Sequence, residues 1–279
     1  LKKLSIFMIL TTFININVHA GNNLANLIFK VPAKSQILET NSSIKCQDCT
    51  IPERFTISVW NMYKGSEPSW PREYQSMDAQ SDLILGQEFL LSGDMKTELE
   101  NPVNSEVVMA TSFINTKKEA TGVFTSSKVS SISKKAYRSQ SREPLANTPK
   151  MGLVTSYPLS NGKVLTVVNI HALNFVGIIP FYNQVSELID EVKDLEGPII
   201  FAGDFNTNTP SKTISMNLLF KAQGFKKTEF SGNDDRLTFL GQKLDHFWYR
   251  GLQLLEARVL NENEGSDHKP MQATFEVSY

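Results

Sequence analysis

Cysteine is nearly absent from this chain: the 279 residues contain two, Cys46 and Cys49. That excludes a disulfide-stapled scaffold, and two thiolates alone cannot complete a zinc site. Their C-Q-D-C spacing runs into Thr50-Ile51-Pro52 rather than into a helix, which disfavours redox chemistry and favours a structural disulfide. An excess of charge of either sign is also missing. Lys and Arg number 28 against 29 Asp and Glu, a net charge of -1, so the chain is no non-specific nucleic-acid binder, and a phosphate-rich partner has to be held by a local patch or by a metal. No internal repeat appears, and no Pro/Gly/Ser linker divides residues 53–279. With 41% hydrophobic residues, one large α/β domain can bury a core of its own.

Long apolar runs are missing as well. The best candidate, residues 4–13, is too short to span a bilayer comfortably. Lys2 and Lys3 precede it and Val18-His19-Ala20 follows. This reads as a secretory signal over residues 1–20, cleaved after Ala20, with a periplasmic or secreted mature chain. Without it the balance is 26 basic against 29 acidic residues, or -3. Residues 21–52 carry no sustained period and read as an N-terminal extension pinned near Cys46 and Cys49. The folded domain is expected over 53–279.

Within that domain, short apolar runs repeatedly stop on a polar residue. The clearest is Pro198-Ile199-Ile200-Phe201-Ala202-Gly203-Asp204-Phe205-Asn206, an uncharged strand that delivers a carboxylate and a carboxamide at its carboxyl end. Open α/β sheets place ligands at that end. Strands over 55–59, 83–88, 164–170 and 244–249 lead to or carry Asn61, Gln87-Glu88, Asn169-Ile170-His171 and Asp245-His246, and a loop over 261–268 ends in Ser266-Asp267-His268. Further strands are expected over 107–114, 122–126, 152–157, 254–260 and 271–277, and helices over 72–80, 181–195 and 211–222. The 181–195 segment puts Phe181, Val185, Leu188, Ile189, Val192 and Leu195 on one face. Strands and helices do not alternate strictly, so two mixed sheets packed face to face fit better than one doubly wound sheet.

Five polar clusters in this order and spacing resemble the endonuclease/exonuclease/phosphatase superfamily over residues 55–279. The resemblance implies a four-layer α/β (α+β) sandwich of two mixed β-sheets flanked by helices, like deoxyribonuclease I, that hydrolyses phosphoesters with Mg2+ or Mn2+. It makes Glu88 the chief metal ligand, with Asp267 and Asn61 beside it. His268 becomes the general base, oriented by Asp245. His171 would contact phosphate or protonate the leaving group, while Asp204 and Asn206 hold water, leaving oxygen or nonbridging oxygens. Asn169 would be a neutral donor near phosphate, and Glu119 would orient His171. These roles suit the chemistry, because phosphodiester hydrolysis needs charge neutralisation, a base for water and an acid for the departing oxygen.

Two features depart from the family pattern. Tyr63 stands where some members carry an acidic residue, and a phosphate clamp cannot be placed, although Lys117, Arg138 and Arg142 are candidates. His246, next to Asp245, points to the other face of its strand and reads as a packed histidine. The expected substrate is a nucleic acid, cleaved by an exported, monomeric nuclease. The alternatives are a phosphoinositide phosphatase or a sphingomyelinase-like enzyme acting on membrane lipid, suggested by the apolar residues 175–181, FVGIIPF, and last a noncatalytic binding module of the same fold.

Overall fold

The computed structural model describes residues 29–46, 48–144 and 146–277; the signal-type segment 1–20 lies outside them. Strand β1, Leu38–Ser42, comes first and pairs antiparallel with the later Glu106–Ile114. The extension over 21–52 thus includes an edge strand of the domain's own sheet, which corrects the boundary expected at Glu53. Its sequence, LETNS, is mostly polar, as an edge strand with one solvated face requires. Cys46 and Cys49 form a disulfide, and Ile51 just beyond bridges to Leu159.

Strand β2, Arg54–Asn61, and β3, Leu83–Leu90, run parallel, joined by helix α1, Trp70–Gln80. A parallel pair needs such a crossover, and it brings both carboxyl ends to the same edge, Asn61 beside Gln87. Helix α2, Gly93–Glu100, then β4, Glu106–Ile114, and β5, Ala120–Ser127, follow. The second sheet is entered through β6, Ser133–Arg138, β7, Met151–Pro158, and β8, Val164–His171. Helix α3, Ile178–Val192, crosses over to β9, Ile199–Asp204, again parallel to β8. Helix α4, Pro210–Ala222, precedes four short or medium strands: β10, Lys226–Lys227, β11, Thr238–Phe239, β12, Gln242–Lys243, and β13, Asp245–Arg250. Strands β14, Leu252–Val259, and β15, Met271–Val277, return to the first sheet.

The result is a seven-stranded sheet, β1-β4-β5-β3-β2-β15-β14, facing a six-stranded sheet, β10-β13-β9-β8-β7-β6, with β11 and β12 as a separate hairpin. Phe55, Ile57, Val59 and Leu85 of one sheet meet Val167, Ile200, Ala202 and Phe247 of the other in the central core. Trp70, Tyr74 and Met77 of α1 and Met95 and Leu99 of α2 cover the outer face of the first sheet. Phe181, Val185, Leu188, Ile189 and Val192 of α3 and Met216 and Phe220 of α4 cover the second. Each such fully buried side chain contributes about 2 kcal/mol before entropy is subtracted. Four layers, helix-sheet-sheet-helix, are the expected architecture. Helix α3 opens three residues earlier than its apolar period indicates, with Pro180 in its first turn, where a missing N–H costs nothing. Residues 178–181 are therefore helix rather than loop.

Candidate active site

The two parallel pairs aim their carboxyl ends at one another, and that meeting point is the site. In the second sheet Asp245 lies directly opposite Asp204, and Asp204 directly opposite His171. Three adjacent strands thus present Asp245, Asp204 and His171 as one row. Across from them, the first sheet supplies Asn61 at the end of β2 and Glu88 within β3. Glu88 stands at a register shift between Gln87 and Phe89 and has φ of 55°. A bulge re-aims one side chain out of the pleat, and a left-handed glutamate is a cost that functional sites retain. Asn206, with φ of 49°, is a second such residue.

Contacts knit the row together. Asn61 donates its amide to Asp204 Oδ2 at 3.0 Å, and its carbonyl oxygen accepts from the Tyr63 N–H at 3.2 Å. His171 Nε2 lies 3.5 Å from Asp204 Oδ2 and 3.7 Å from Glu88 Oε1. Lys64 Nζ reaches Glu88 Oε2 at 2.5 Å. His268 Nδ1 is 2.8 Å from Asp245 Oδ2, which leaves Nε2 as its outward nitrogen. The loop carrying His268 is held down: Trp60 Nε1 donates to the His268 carbonyl and Ser266 Oγ to the Asn61 carbonyl. Asp267 is exposed beside Ser266 Oγ.

The protonation states follow from these neighbours. Burial opposes charge on Glu88, but Lys150 and Lys64 outweigh it and hold the carboxyl well below the usual range. Burial first, and Lys150 next, keep His171 far below the ordinary histidine value, so it is neutral. Burial alone would lower His268 too. Asp245, through charge and hydrogen bond, with Asp204 and Asp267, reverses this and raises it to about 10. Burial and then Asp245 push Asp204 up to about 7. The two carboxyls of one cleft are thus pushed in opposite directions, Glu88 down and Asp204 up.

Of the residues expected here, Asn61, Glu88, His171, Asp204, Asn206, Asp245, Asp267 and His268 all lie in this region. Two expectations are corrected. Asn169 offers no donor to phosphate: its amide gives both hydrogens to the carbonyls of Gly86 and Phe124 and its oxygen accepts from Gln87 Nε2 at 2.7 Å. It bolts the sheets together from inside. Glu119 is bonded to Asn115 in the β4–β5 turn. What steadies His171 is Gln184 of α3, which donates to its carbonyl at 3.1 Å. Asn206 gives its amide to the Ala172 carbonyl and its backbone N–H to Asp204 Oδ1, so it positions Asp204. His246 is buried and bonded to Thr207 Oγ1 at 2.7 Å, as a packed histidine should be.

The clamp candidates fare differently. Arg138 and Arg142 donate to the carbonyls of Pro32 and Asn147, and Lys117 is exposed. The cations that line the cleft with Glu88 and His171 are Lys64 and Lys150. Lys150 is itself 3.4 Å from Glu143. Lys64 stands in a short 3-10 turn, Tyr63–Gly65, and Lys150 in the loop before β7, neither within a motif, so only the fold brings them in. Arg236 is a further unsignalled residue; its guanidinium donates to the Asp245 carbonyl at 2.7 Å. Lys212, buried under the loop after β9, donates to the Asn206 carbonyl and to Asn208.

The Glu88 carboxylate is a hard oxygen donor of the kind a divalent cation takes, and its nearest partners here are Lys64 Nζ and His171 Nε2. Asp204, Asp245 and His268 also place ligand atoms within 4.8 Å of one another. Asp245 Oδ2 and His268 Nδ1 are engaged with each other, so that trio reads as proton-handling machinery.

Comparison with known proteins agrees with this geometry. The profile of the endonuclease/exonuclease/phosphatase family matches residues 58–268. A UPF0294 protein of Vibrio campbellii is 32% identical over 288 residues, covering 98% of this chain and 96% of its own. Among solved structures, an endonuclease/exonuclease/phosphatase of Beutenbergia cavernae superposes with a TM-score of 0.66 at 13% identity, covering 81% of this chain and 72% of its own. The human Nocturnin catalytic domain with bound sulfate gives 0.63 at 14%, covering 88% and 99%. Matched by the family profile over residues 58–268 and by a relative over most of its length, the chain belongs to the endonuclease/exonuclease/phosphatase family and is a hydrolase of phosphoester bonds.

Proposed function

We propose that this chain is a divalent-metal-dependent phosphodiesterase acting outside the cytoplasm by in-line attack of water. The observation that carries the reading is the row Asp245-Asp204-His171 with His268 bonded to one end and Glu88 close to the other. Mg2+ or Mn2+, held by Glu88 with Asn61 and Asp267, would supply charge neutralisation for the phosphoryl oxygens. His268 carries a proton at rest and acts once it has released it. Its Nε2 then takes the proton of the attacking water as the new P–O bond forms. Asp204, which keeps its own proton to near neutral pH, gives it to the oxygen of the departing arm as that P–O bond breaks. Asp245 holds the imidazole ring in place, and Asn206 and Asn61 hold the Asp204 carboxyl.

Export is supported by the signal-like pattern of residues 1–20 and by the Cys46–Cys49 disulfide, which suits an oxidising compartment. Two substrate classes suit this reaction. A nucleic acid is the expectation carried by the sequence. A lipid phosphodiester is the second reading, and the specific observation behind it is the outward display of Phe175, which lines the cleft and is 60% exposed, followed in sequence by Ile179 in the first turn of α3, 70% exposed. The test is hydrolysis of bis(p-nitrophenyl) phosphate, plasmid DNA, RNA, phosphoinositides and sphingomyelin with Mg2+, Mn2+ or chelator. Glu88→Ala and His268→Ala should each lose roughly 100- to 10,000-fold in rate. Variants as active as the parent would sink the assignment.

A further inference from the structure

Beside Glu88 and His171 the cleft widens into a chamber of about 490 Å³, within the range of small-ligand sites. Phe29, Leu90, Phe113, Val123, Met151 and Phe175 line it. Its charged groups, Lys64 against Glu88 and Lys150 against Glu143, are gathered on the edge that also holds the neutral His171. Two polar wall residues are already committed. Ser112 donates its hydroxyl to the Pro149 carbonyl at 2.5 Å. Asn115 donates to Glu119 and accepts from the N–H groups of Lys117 and Glu119. A nucleobase is recognised by hydrogen bonds along its edge; Ser112 has spent its hydrogen and Asn115 keeps one amide hydrogen, so edge recognition on this wall would fall mainly to Thr121 and Asn174.

The chamber also has a side. Glu88 and His171 line it, whereas His268 and Asp245 do not. Asp204 stands between the two histidines, contacting His171 directly and opposing Asp245 across the ladder. Water activated at His268 attacks phosphorus from that direction, and in-line displacement sends the departing oxygen the opposite way, towards His171. The chamber therefore flanks the leaving side. Its apolar wall continues outward: Phe175, held at φ of 50°, packs edge to face on Phe239 at 6.0 Å, next to Leu240, 82% exposed and at φ of 46°. Leu240 takes its positive φ as the first residue of the Leu240-Gly241 turn between β11 and β12, and like Phe175 it presents an apolar side chain to solvent.

We propose that this chamber binds the leaving arm of the substrate and that this arm is an apolar chain, so the substrate class is a phosphodiester of a long-chain or lipid alcohol. The proposal rests on the catalytic reading above. Its test does not need turnover: calorimetric binding of ethyl, butyl, hexyl and octyl phosphate to the full chain. Each methylene buried gains about 0.8 kcal/mol, so Kd should fall roughly fourfold per added methylene until the chamber is filled. Phe113→Ser should flatten that slope. Leu90→Gln serves the same purpose should the first variant fold poorly by circular dichroism.

A Kd independent of chain length would overturn the proposal, and so would a nucleoside monophosphate binding as tightly as octyl phosphate. Loss of bis(p-nitrophenyl) phosphate hydrolysis with the slope intact would instead sink the catalytic reading alone. The source of the chain is read from a short-chain phospholipid assayed across its micelle concentration. A rate jump supports a lipid surface, and a smooth curve with turnover supports a soluble alkyl phosphodiester.

Discussion

His268 and Asp245 form the pair on which the proton chemistry turns. The histidine's charge survives burial only because Asp245 lies 2.8 Å away, with Asp204 and Asp267 adding to it. In Asp245→Asn the burial effect is left with weaker opposition, so His268 should titrate well below its parent value; NMR of the ring proton across pH 5–10, in chelator, reads this directly. The sign for stability follows from the same shift. A histidine raised to about 10 in the folded state, against about 6.5 unfolded, lends stability that is complete below pH 6.5 and is lost as pH rises through about 10. Parent and His268→Gln should therefore differ most in melting temperature near pH 6 and converge towards pH 10. Asn169 makes the opposite kind of prediction. Its amide joins the sheets through Gly86, Phe124 and Gln87, and Asn169→Leu leaves those partners buried and unpaired. Urea denaturation should show a loss of about 3 kcal/mol, with activity per folded molecule falling far less than in Glu88→Ala.

Elements buried on both faces were legible from the residue order, whereas at the rim β14 was legible and β1 and β6 were not. Strand β9 announces itself because IIFA has no polar side to show; β2, β3, β8 and β15 follow the same logic. Strands β1, LETNS, and β6, SKKAYR, lie at sheet edges, where one side faces water and the apolar signal thins out. The site divides along the same line. Residues at the ends of buried strands could be named, whereas Lys64, Lys150 and Arg236 come from loops that only the tertiary fold folds back onto the cleft. Asn169 was misjudged because a polar residue near a strand end looks the same whether it faces substrate or a second sheet. At this scale the close approach of β8 and β9 is a fragile point. A Cβ on Gly203 would sit 2.0 Å from the Ile170 carbonyl oxygen, so Gly203→Ala should cost about 3 kcal/mol or more. Gly162→Ala is the control: its φ is also positive, but nothing lies within 4 Å of the new atom, and a loss near 1 kcal/mol in the same urea titration is expected.

Across the whole molecule, the site and the disulfide lie at opposite ends of β8. The Cys46–Cys49 bridge and the Ile51–Leu159 contact lie by the β7–β8 turn, at the end of β8 away from His171. Removing the bridge by Cys46→Ser with Cys49→Ser should cost about 2 kcal/mol, as for a very short closed loop. That corresponds to roughly 4–8 °C in melting temperature, and kcat should not move. The row Asp245-Asp204-His171 has a different bearing on how such a chain can change over time. Because three neighbouring strands place it side by side, it depends on counting residues, and a single deletion within 199–204 would turn alternate side chains to the wrong face. Insertions in the 159–163 turn leave that count untouched. Gaps among relatives should then gather at the bridge end and along the loops, while the strands that feed the row keep a fixed length.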